Sequence, residues 1–183
     1  PGDVLGVNTP KALYDPPSDI EWQLLIADAT GLPAAARLAE NAPSGVRTRV
    51  VIEVATPDDE LPLSTSDDVE LHWVHGGNGH APTRIEEILR ASELPSGPGY
   101  VWVAGETKAT RGVRRILRKD LGLAASAYKV IGYWTENAEA WREKYDSLDE
   151  SVHARLMAMW DDESRSEEDI TDEYEAELEK LGL

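Results

Sequence analysis

Short apolar runs alternate with stretches of helical periodicity along most of the chain. Five runs have the length and the β-branched or aromatic content of strands, at residues 22–27, 49–54, 69–74, 100–104 and 128–134. Apolar residues between them recur at helical spacing: Leu32, Ala35, Ala36 and Ala39, then Ile85, Ile88 and Leu89, then Val113, Ile116, Leu117 and Leu121. Strands that alternate with helices are typical of parallel sheets. The pattern predicts an α/β fold with a doubly wound, five-stranded parallel sheet and C-terminal helices.

Two connections in this pattern have clear local signals. Thr30 is the predicted N-cap of the first helix, and Pro33 falls in the first helical turn, where a missing amide hydrogen costs little. Residues 56–68, between the second and third strands, are polar and acidic and contain proline. We therefore expect a loop there rather than a helix.

The periodicity beyond residue 134 is helical throughout. Ser147 and Glu150 form a capping box that predicts a division into two helices. The apolar stripe of this pair is Ala138, Trp141, Tyr145, Leu148, Val152, Leu156 and Met159. A further stripe behind a Ser166 cap is Ile170, Tyr174, Leu178 and Leu181. We expect this last, acidic helix to be loosely held.

Composition divides the chain into three parts. Residues 1–21 are rich in proline and glycine and predict a linker, residues 22–160 carry the strands and helices, and residues 161–183 form an acidic helical tail. The chain holds 35 Asp and Glu against 18 Lys and Arg, a formal net charge of −17, and residues 136–183 contribute 17 of the acidic and five of the basic residues. Such a charge repels nucleic-acid backbones and anionic membranes, so we expect no nucleic-acid partner.

Several classes of protein are disfavoured by what the sequence lacks. There is no cysteine, which excludes a disulfide framework, a thiol nucleophile and a thiolate metal site. No apolar run approaches the roughly 20 residues of a membrane span, and the first residues do not have the profile of a signal peptide. The sequence is therefore expected to be cytoplasmic, without a membrane span.

Candidate chemistry lies where the predicted strands end, because ligands of open parallel sheets bind beyond the carboxyl ends of the strands. The first strand is followed by Asp28, Thr30, Gly31, Leu32 and Pro33, which open a helix whose amides and dipole suit a pyrophosphate. Glycine there would let a ligand approach the backbone. An ordinary strand-to-helix turn favours the same residue types, so both interpretations stay open.

The fourth and fifth strands end in a second set of candidate residues. Ala104 and Gly105 are small enough to leave room for a flat ring, and Glu106 either hydrogen-bonds an amide of that ring or favours the N-terminus of the next helix. Tyr133 and Trp134 end the fifth strand. The predicted helix between these strands has six basic residues within twelve positions: Lys108, Arg111, Arg114, Arg115, Arg118 and Lys119. They form either a solvated helix face or a patch that binds an anion, with Lys108, Arg111 and Arg115 as candidate substrate contacts.

The other motifs in the sequence are too incomplete to predict a functional site. His72, His75 and His80 fix no fourth metal ligand, and the glycine-rich residues 75–80 lack a Walker pattern. No serine lies in a G-x-S-x-G motif. We therefore predict neither a metal site nor a catalytic residue of a hydrolase.

Taken in order, the motifs resemble one known domain. They are Trp22-Gln23-Leu24-Leu25, Asp28-x-Thr30-Gly31-Leu32-Pro33-Ala34, Trp102-Val103-Ala104-Gly105-Glu106, Arg114-Arg115-x-Leu117-Arg118 and Gly132-Tyr133-Trp134. Over about residues 20–145 this sequence is similar to the C-terminal nucleotide-binding domain of siderophore-interacting proteins. These proteins are flavin-dependent ferric-siderophore reductases related to ferredoxin-NADP reductase. Pro1-Gly2-Asp3 resembles the end of the flavin-binding barrel that precedes this domain in the family.

The resemblance implies a role for each motif. Thr30-Gly31-Leu32-Pro33 would contact the pyrophosphate of NAD(P)H, Ala104-Gly105-Glu106 would flank the nicotinamide, and Tyr133-Trp134 would lie towards the flavin. A hydride would pass to FAD and single electrons would then reach Fe(III) of a ferric siderophore.

The chain departs from the family in its extent and at two sites. It lacks the flavin barrel, so we expect FAD only through an N-terminal domain outside this chain and no activity of the chain alone. Ala29-Thr30-Gly31 stands where relatives often carry Glu-Thr-Ala. Residues 56–60 offer no cation for a 2′-phosphate, which favours NADH, although the basic helix could supply one. Two alternatives remain, namely a non-catalytic interaction module with a vestigial cleft and an acidic partner-docking tail, and a flavin reductase without a siderophore role.

Overall fold

The computed structural model describes residues 13–77, 82–162 and 164–183. Five parallel strands form one sheet in the order β3-β2-β1-β4-β5, which confirms the predicted α/β fold. The strands are β1 (Trp22–Ala27), β2 (Arg47–Val54), β3 (Val69–His75), β4 (Gly99–Glu106) and β5 (Tyr128–Trp134). All five predicted strands are present, and β2, β3 and β4 extend one or two residues beyond the predicted bounds. The predicted linker up to residue 12, with Pro1-Gly2-Asp3, and His80 lie outside the described residues.

Helices cover both faces of the sheet. They are α1 (Leu32–Glu40), α2 (Ile85–Ala91), α3 (Thr107–Arg115), α4 (Ala138–Asp146), α5 (Glu150–Ala158) and α6 (Glu167–Lys180). α1 packs on one face of the sheet, and α2 and α3 pack on the other. The loop predicted over residues 56–68 contains a single 3₁₀ turn, at Pro57–Asp59. No helix in the described part of the chain has both the length and the apolar character needed to cross a membrane.

The centre of the sheet is buried from both sides, which explains its almost continuous apolar sequence. All six residues of β1 are buried. Leu25 and Trp102 face α1, whereas Ile26 and Val103 face α2 and α3. Because β1 and β4 are neighbours in the middle of the sheet, the loops that follow them start from its most buried part.

Three local predictions are corrected by the structure. Gly31, not Thr30, is the N-cap of α1, because the Thr30 hydroxyl donates to Asp28 instead. After α3 the chain makes a π-helical turn over Ile116–Asp120, which shifts the helical phase and leaves Leu121 exposed rather than in the core. The N-cap of α5 is Asp149, whose side chain accepts the Ser151 amide hydrogen, so Ser147 does not cap this helix.

The C-terminal helices form the predicted pair and a third helix, and the contact between Tyr145 and His153 joins the pair. The rings of Trp141 and Tyr145 stack with centroids 5.2 Å apart, and His153 lies against Tyr145. Within the predicted stripe of α4 and α5, Leu156 alone is fully buried in the described structure.

The acidic helix α6 is bound closely to the basic helix α3, which corrects the expectation that it is loosely held. Ile170 and Leu178 of α6 are buried. Arg114 donates to Glu175 at 2.5 Å in the most enclosed ion pair of this contact, with 12% and 19% of the two side chains exposed. The other pairs are Arg115 with Glu179 and Arg118 with Asp169 and Asp172. Opposite charges on two packed helices therefore explain both the basic helix and the acidic tail.

We expect Arg118→Gln to destabilise the protein at neutral pH but not in acid. The hydrogen bond from Arg118 lowers the pKa of Asp169 below its ordinary value of 3.8. A carboxylate with a lowered pKa contributes stability above its ordinary pKa, and this contribution is lost as the pH falls through the lowered value. Urea unfolding should therefore show a gap in unfolding free energy between the wild type and Arg118→Gln at pH 7 that narrows as the pH falls below 3.8, the ordinary pKa of Asp169. Arg37→Gln, at an exposed position on α1, is the control, and a gap that persists in acid would show that Arg118 acts through packing.

Candidate functional site

The predicted strand-end motifs meet at the point where the strand order reverses. β1 leads into α1 on one face, and its neighbour β4 leads into α3 on the other. Two loops that leave in opposite directions open a crevice at the carboxyl ends of the strands. The structure places the turn after β1, the end of β4 and the end of β5 side by side at this crevice.

Asp28 holds these three segments together. The residue is fully buried. Its Oδ1 accepts hydrogen bonds from the Thr30 amide at 2.9 Å, the Thr30 hydroxyl at 2.5 Å and the Gly31 amide at 3.3 Å. Its Oδ2 accepts the indole N–H of Trp134 at 2.7 Å. One carboxylate therefore links the turn after β1 to the end of β5 and supports the turn from below.

Both glycines of the site are required by packing inside the protein. A Cβ on Gly31 would lie 3.0 Å from the Ala104 carbonyl oxygen, so the turn fits directly against β4. A Cβ on Gly105 would lie 2.8 Å from Asp28 Oδ2. Glycine at these two positions is therefore explained by close packing within the protein, whereas the sequence analysis explained Gly31 by the approach of a ligand to the backbone.

The N-terminus of α1 offers fewer free amides than the sequence suggested. The amides of Thr30 and Gly31 donate to Asp28. The backbone N–H groups at the start of an α-helix find no carbonyl acceptor within the helix. In α1 these are the N–H groups of Leu32 and Ala34, because Pro33 has no amide hydrogen. The first turn carries no acidic residue. Anion binding here would therefore rely on two backbone amides and the helix dipole.

Glu106 is the N-cap of α3, which agrees with its predicted role at the N-terminus of that helix. Its Oε2 accepts the Ala109 amide hydrogen at 2.8 Å, and its Oε1 accepts that of Glu136 at 3.3 Å. The side chain is buried, so it stabilises the start of α3 and the segment after β5 together.

An irregularity in β5 orients its two terminal aromatic residues. Gly105 pairs with Gly132, but Glu106 pairs with Trp134, so Tyr133 is an extra residue in the strand. Bulges of this kind redirect the side chains that follow them. Trp134 consequently reaches Asp28, while Tyr133 is 39% exposed at the rim of the crevice.

Glu53 is a residue of this region that the sequence analysis did not single out. It lies near the end of β2, is fully buried, and accepts hydrogen bonds from the Thr83 hydroxyl at 2.5 Å and the Arg84 amide at 2.8 Å. Burial raises its pKa above the usual range, and the nearby charge of Asp28 acts in the same direction. A carboxylate inside an apolar strand is the sequence signal that could have identified it.

The predicted substrate contacts on α3 are largely engaged inside the chain. Arg115 donates to Glu179 at 3.1 Å, and Arg111 donates to the carbonyl oxygen of Leu183 at 3.2 Å. Lys108 is exposed. The carboxylates of the tail that pair with basic side chains of the same chain are Asp169, Asp172, Glu173, Glu175, Glu177 and Glu179. The arginines of the basic patch are thus engaged with the C-terminal segment of the chain, whereas Lys108 stays exposed.

Two histidines of the predicted histidine group, His72 and His75, lie beside carboxylates. His72 Nε2 lies 2.8 Å from Glu70 Oε1, and His75 Nε2 lies 2.8 Å from Glu60 Oε1. In the part of the chain that the structure describes, no group of three or more His, Asp or Glu side chains is placed to hold a metal ion.

Comparison with known proteins gives one family. The model of the family described as siderophore-interacting protein matches residues 20–137. An uncharacterized protein of Mycobacterium tuberculosis is 32% identical over 162 residues, which cover 79% of this chain and 56% of that protein. The ferric vibriobactin reductase ViuB of Vibrio cholerae is 25% identical over 145 residues, which cover 77% of this chain and 52% of that protein. The NADPH-dependent ferric-chelate reductase of Escherichia coli is 26% identical over 118 residues, which cover 63% of this chain and 45% of that protein. The chain thus spans about half the length of these relatives.

Solved structures agree with this result. A siderophore utilization protein from T. fusca superposes with a TM-score of 0.59 and 36% identity, over 67% of this chain and 47% of that one. A siderophore-interacting protein from Acinetobacter baumannii superposes with a TM-score of 0.63 over 89% of this chain and 63% of that one. Its identity is 20%, so this second likeness concerns the fold alone.

Proposed function

The chain belongs to the siderophore-interacting protein family, and from this premise we propose that it is the NAD(P)H-binding domain of a flavin-dependent ferric-siderophore reductase. The observation that carries the proposal is the convergence of the ends of β1, β4 and β5 around Asp28. A crevice at this reversal of strand order is where open α/β sheets bind dinucleotides. FAD would be held by a barrel domain outside this chain. Relatives named as a ferric vibriobactin reductase and a ferric-chelate reductase support the substrate class.

The residues present fit a dinucleotide that lies across the crevice. The amides of Leu32 and Ala34, with the exposed Thr30, would hold the pyrophosphate at the N-terminus of α1. Ala104 and Gly105 would flank the nicotinamide at the end of β4. Tyr133 and Trp134 would border the side that faces the flavin. When bound, the nicotinamide supplies a hydride to FAD, from which single electrons reach Fe(III) of the siderophore.

Asp28 and Glu106 act on the cofactor indirectly in this proposal. Asp28 is buried beneath the turn and fixes the backbone of Thr30 and Gly31, on which the orientation of the following amides depends. Glu106 fixes the start of α3. Of the three predicted substrate contacts, Lys108 is directly accessible, whereas Arg111 and Arg115 would have to exchange their partners near α6 for an anionic chelate.

Calorimetric titration of the chain with NADH and NADPH tests this function. We expect a dissociation constant of about 1 mM or below for at least one of them, since Michaelis constants of enzymes lie mostly between about 1 μM and 1 mM. Gly31→Val should weaken binding at least about tenfold, because its side chain meets the backbone of Ala104 and displaces the turn. A circular dichroism spectrum controls for folding of the variant. Failure of both nucleotides to bind at millimolar concentration, by the chain alone and joined to its flavin-binding barrel, would contradict the proposal.

A further inference from the structure

We infer that this dinucleotide site selects NADH over NADPH, because the segments after β2 and β3, near which the adenosine ribose would lie, carry carboxylates and no lysine or arginine. The inference rests on the proposed function and deepens it. A dinucleotide whose pyrophosphate lies at the turn between β1 and α1 extends its adenosine half over the adjacent β2. Sites of this type recognise a 2′-hydroxyl group with a carboxylate and a 2′-phosphate with an arginine.

The segments that follow β2 and β3 contain neither lysine nor arginine, the residues that bind a phosphate through an ammonium or guanidinium group. Neither residues 55–68 nor residues 76–83 include a lysine or an arginine. The first of these segments instead contains three consecutive acidic residues, Asp58, Asp59 and Glu60. This is a property of the sequence, and it holds for the whole of both segments.

Hydrogen bonds fix the acidic residues beside the ends of the two strands. The Gly76 amide donates to the carbonyl oxygens of Val54 and Ala55, at 3.2 and 3.1 Å, and so joins the end of β3 to the end of β2. The Thr56 amide and hydroxyl donate to Asp59 at 2.9 and 2.8 Å. His75 lies 2.8 Å from Glu60 and connects this carboxylate to the end of β3. The carboxylates of Asp59 and Glu60 are therefore held next to the segments that end β2 and β3.

Arg84 is the nearest guanidinium group in the sequence after β3, and it is already engaged. Its Nε and Nη2 donate to the two carboxylate oxygens of Glu87, at 2.9 and 2.8 Å. Its backbone amide donates to the buried Glu53. A 2′-phosphate, with almost two negative charges, would thus meet like charges without a free guanidinium group, whereas the neutral 2′-hydroxyl of NADH can donate to a carboxylate.

Calorimetry with both nucleotides at low and high salt tests the selectivity. In the wild type we expect NADH to bind at least about tenfold more tightly than NADPH at low salt. The ratio should decrease at high salt, because ions screen the repulsion between exposed charges. The relative named as NADPH-dependent provides a comparison in which the ratio should be reversed.

Two charge reversals show whether the effect is local. Asp58→Arg changes an exposed residue beside Asp59 and should raise the affinity for NADPH relative to that for NADH at least about fivefold. Asp67→Arg makes the same change in net charge just before β3, at the opposite end of the strands, and should not alter the ratio.

Three results would contradict these expectations in different ways. Equal or tighter binding of NADPH by the wild type overturns the selectivity. Equal responses to Asp58→Arg and Asp67→Arg show an effect of net charge alone and overturn the role of the segment after β2. Failure of both nucleotides to bind overturns the proposed function itself, and the selectivity with it.

Discussion

Asp28→Ala is expected to lower the free energy of unfolding by about 2–4 kcal/mol and to abolish measurable NAD(P)H binding. The substitution leaves the Trp134 indole N–H and the Thr30 amide without their acceptor, whereas the Gly31 amide keeps the backbone carbonyl oxygen of Asp28 at 3.0 Å. Each buried donor that loses its partner costs about 1–3 kcal/mol, and part of this is recovered because the turn gains access to water. Urea unfolding measures the first effect and calorimetric titration the second.

Two further variants at acidic positions separate this role from a general effect of charge. Asp67→Ala removes an equal charge from an exposed site and should change the free energy of unfolding by less than about 0.5 kcal/mol. Asp28→Asn keeps the size of the side chain but must direct its NH₂ group at either the turn or Trp134, so its effect should be intermediate. An Asp28→Ala variant that binds NAD(P)H as the wild type does would show that the turn needs no support from this carboxylate.

The fold was predictable because its strongest signals are local. The unbroken apolar sequence of β1 follows from burial on both faces, and the periodicity of α1 follows from packing on the sheet. The start of β2 was missed because its burial depends on distant partners. Thr48 is buried, and its hydroxyl oxygen accepts a hydrogen bond from the side-chain NH₂ group of Gln23. The side-chain oxygen of Gln23 in turn accepts a hydrogen bond from the Tyr14 hydroxyl. Polar residues paired across strands do not show in a hydrophobic pattern.

The site was predictable in its location but not in its internal contacts. Parallel topology alone brings the ends of β1, β4 and β5 to one edge of the sheet. The bond between Asp28 and Trp134 joins residues far apart in sequence, and it depends on the bulge at Tyr133, for which the sequence has no marker. The partner of the basic helix was equally hidden, because a run of charges does not show which segment will neutralise it.

Gly105→Ala should weaken NAD(P)H binding at least about tenfold and cost about 1–3 kcal/mol of unfolding free energy, the usual range for overpacking a dense core. The added methyl group would lie 2.8 Å from Asp28 Oδ2 and 3.3 Å from the Ile85 side chain. Asp28 cannot turn aside without giving up its bond to Trp134 or those to the turn. The methyl group therefore disturbs the turn and the end of β5 together, and calorimetry and urea unfolding measure the two consequences.

A double-mutant cycle tests whether the clash with Asp28 causes these effects. In an Asp28→Ala background the carboxylate is gone, so adding Gly105→Ala should cost much less than it does in the wild type. The two substitutions would then be clearly less than additive in unfolding free energy. Additive effects would show that the methyl group acts elsewhere, on Ile85 or on the backbone of β4, and would separate Gly105 from the support that Asp28 gives to the site.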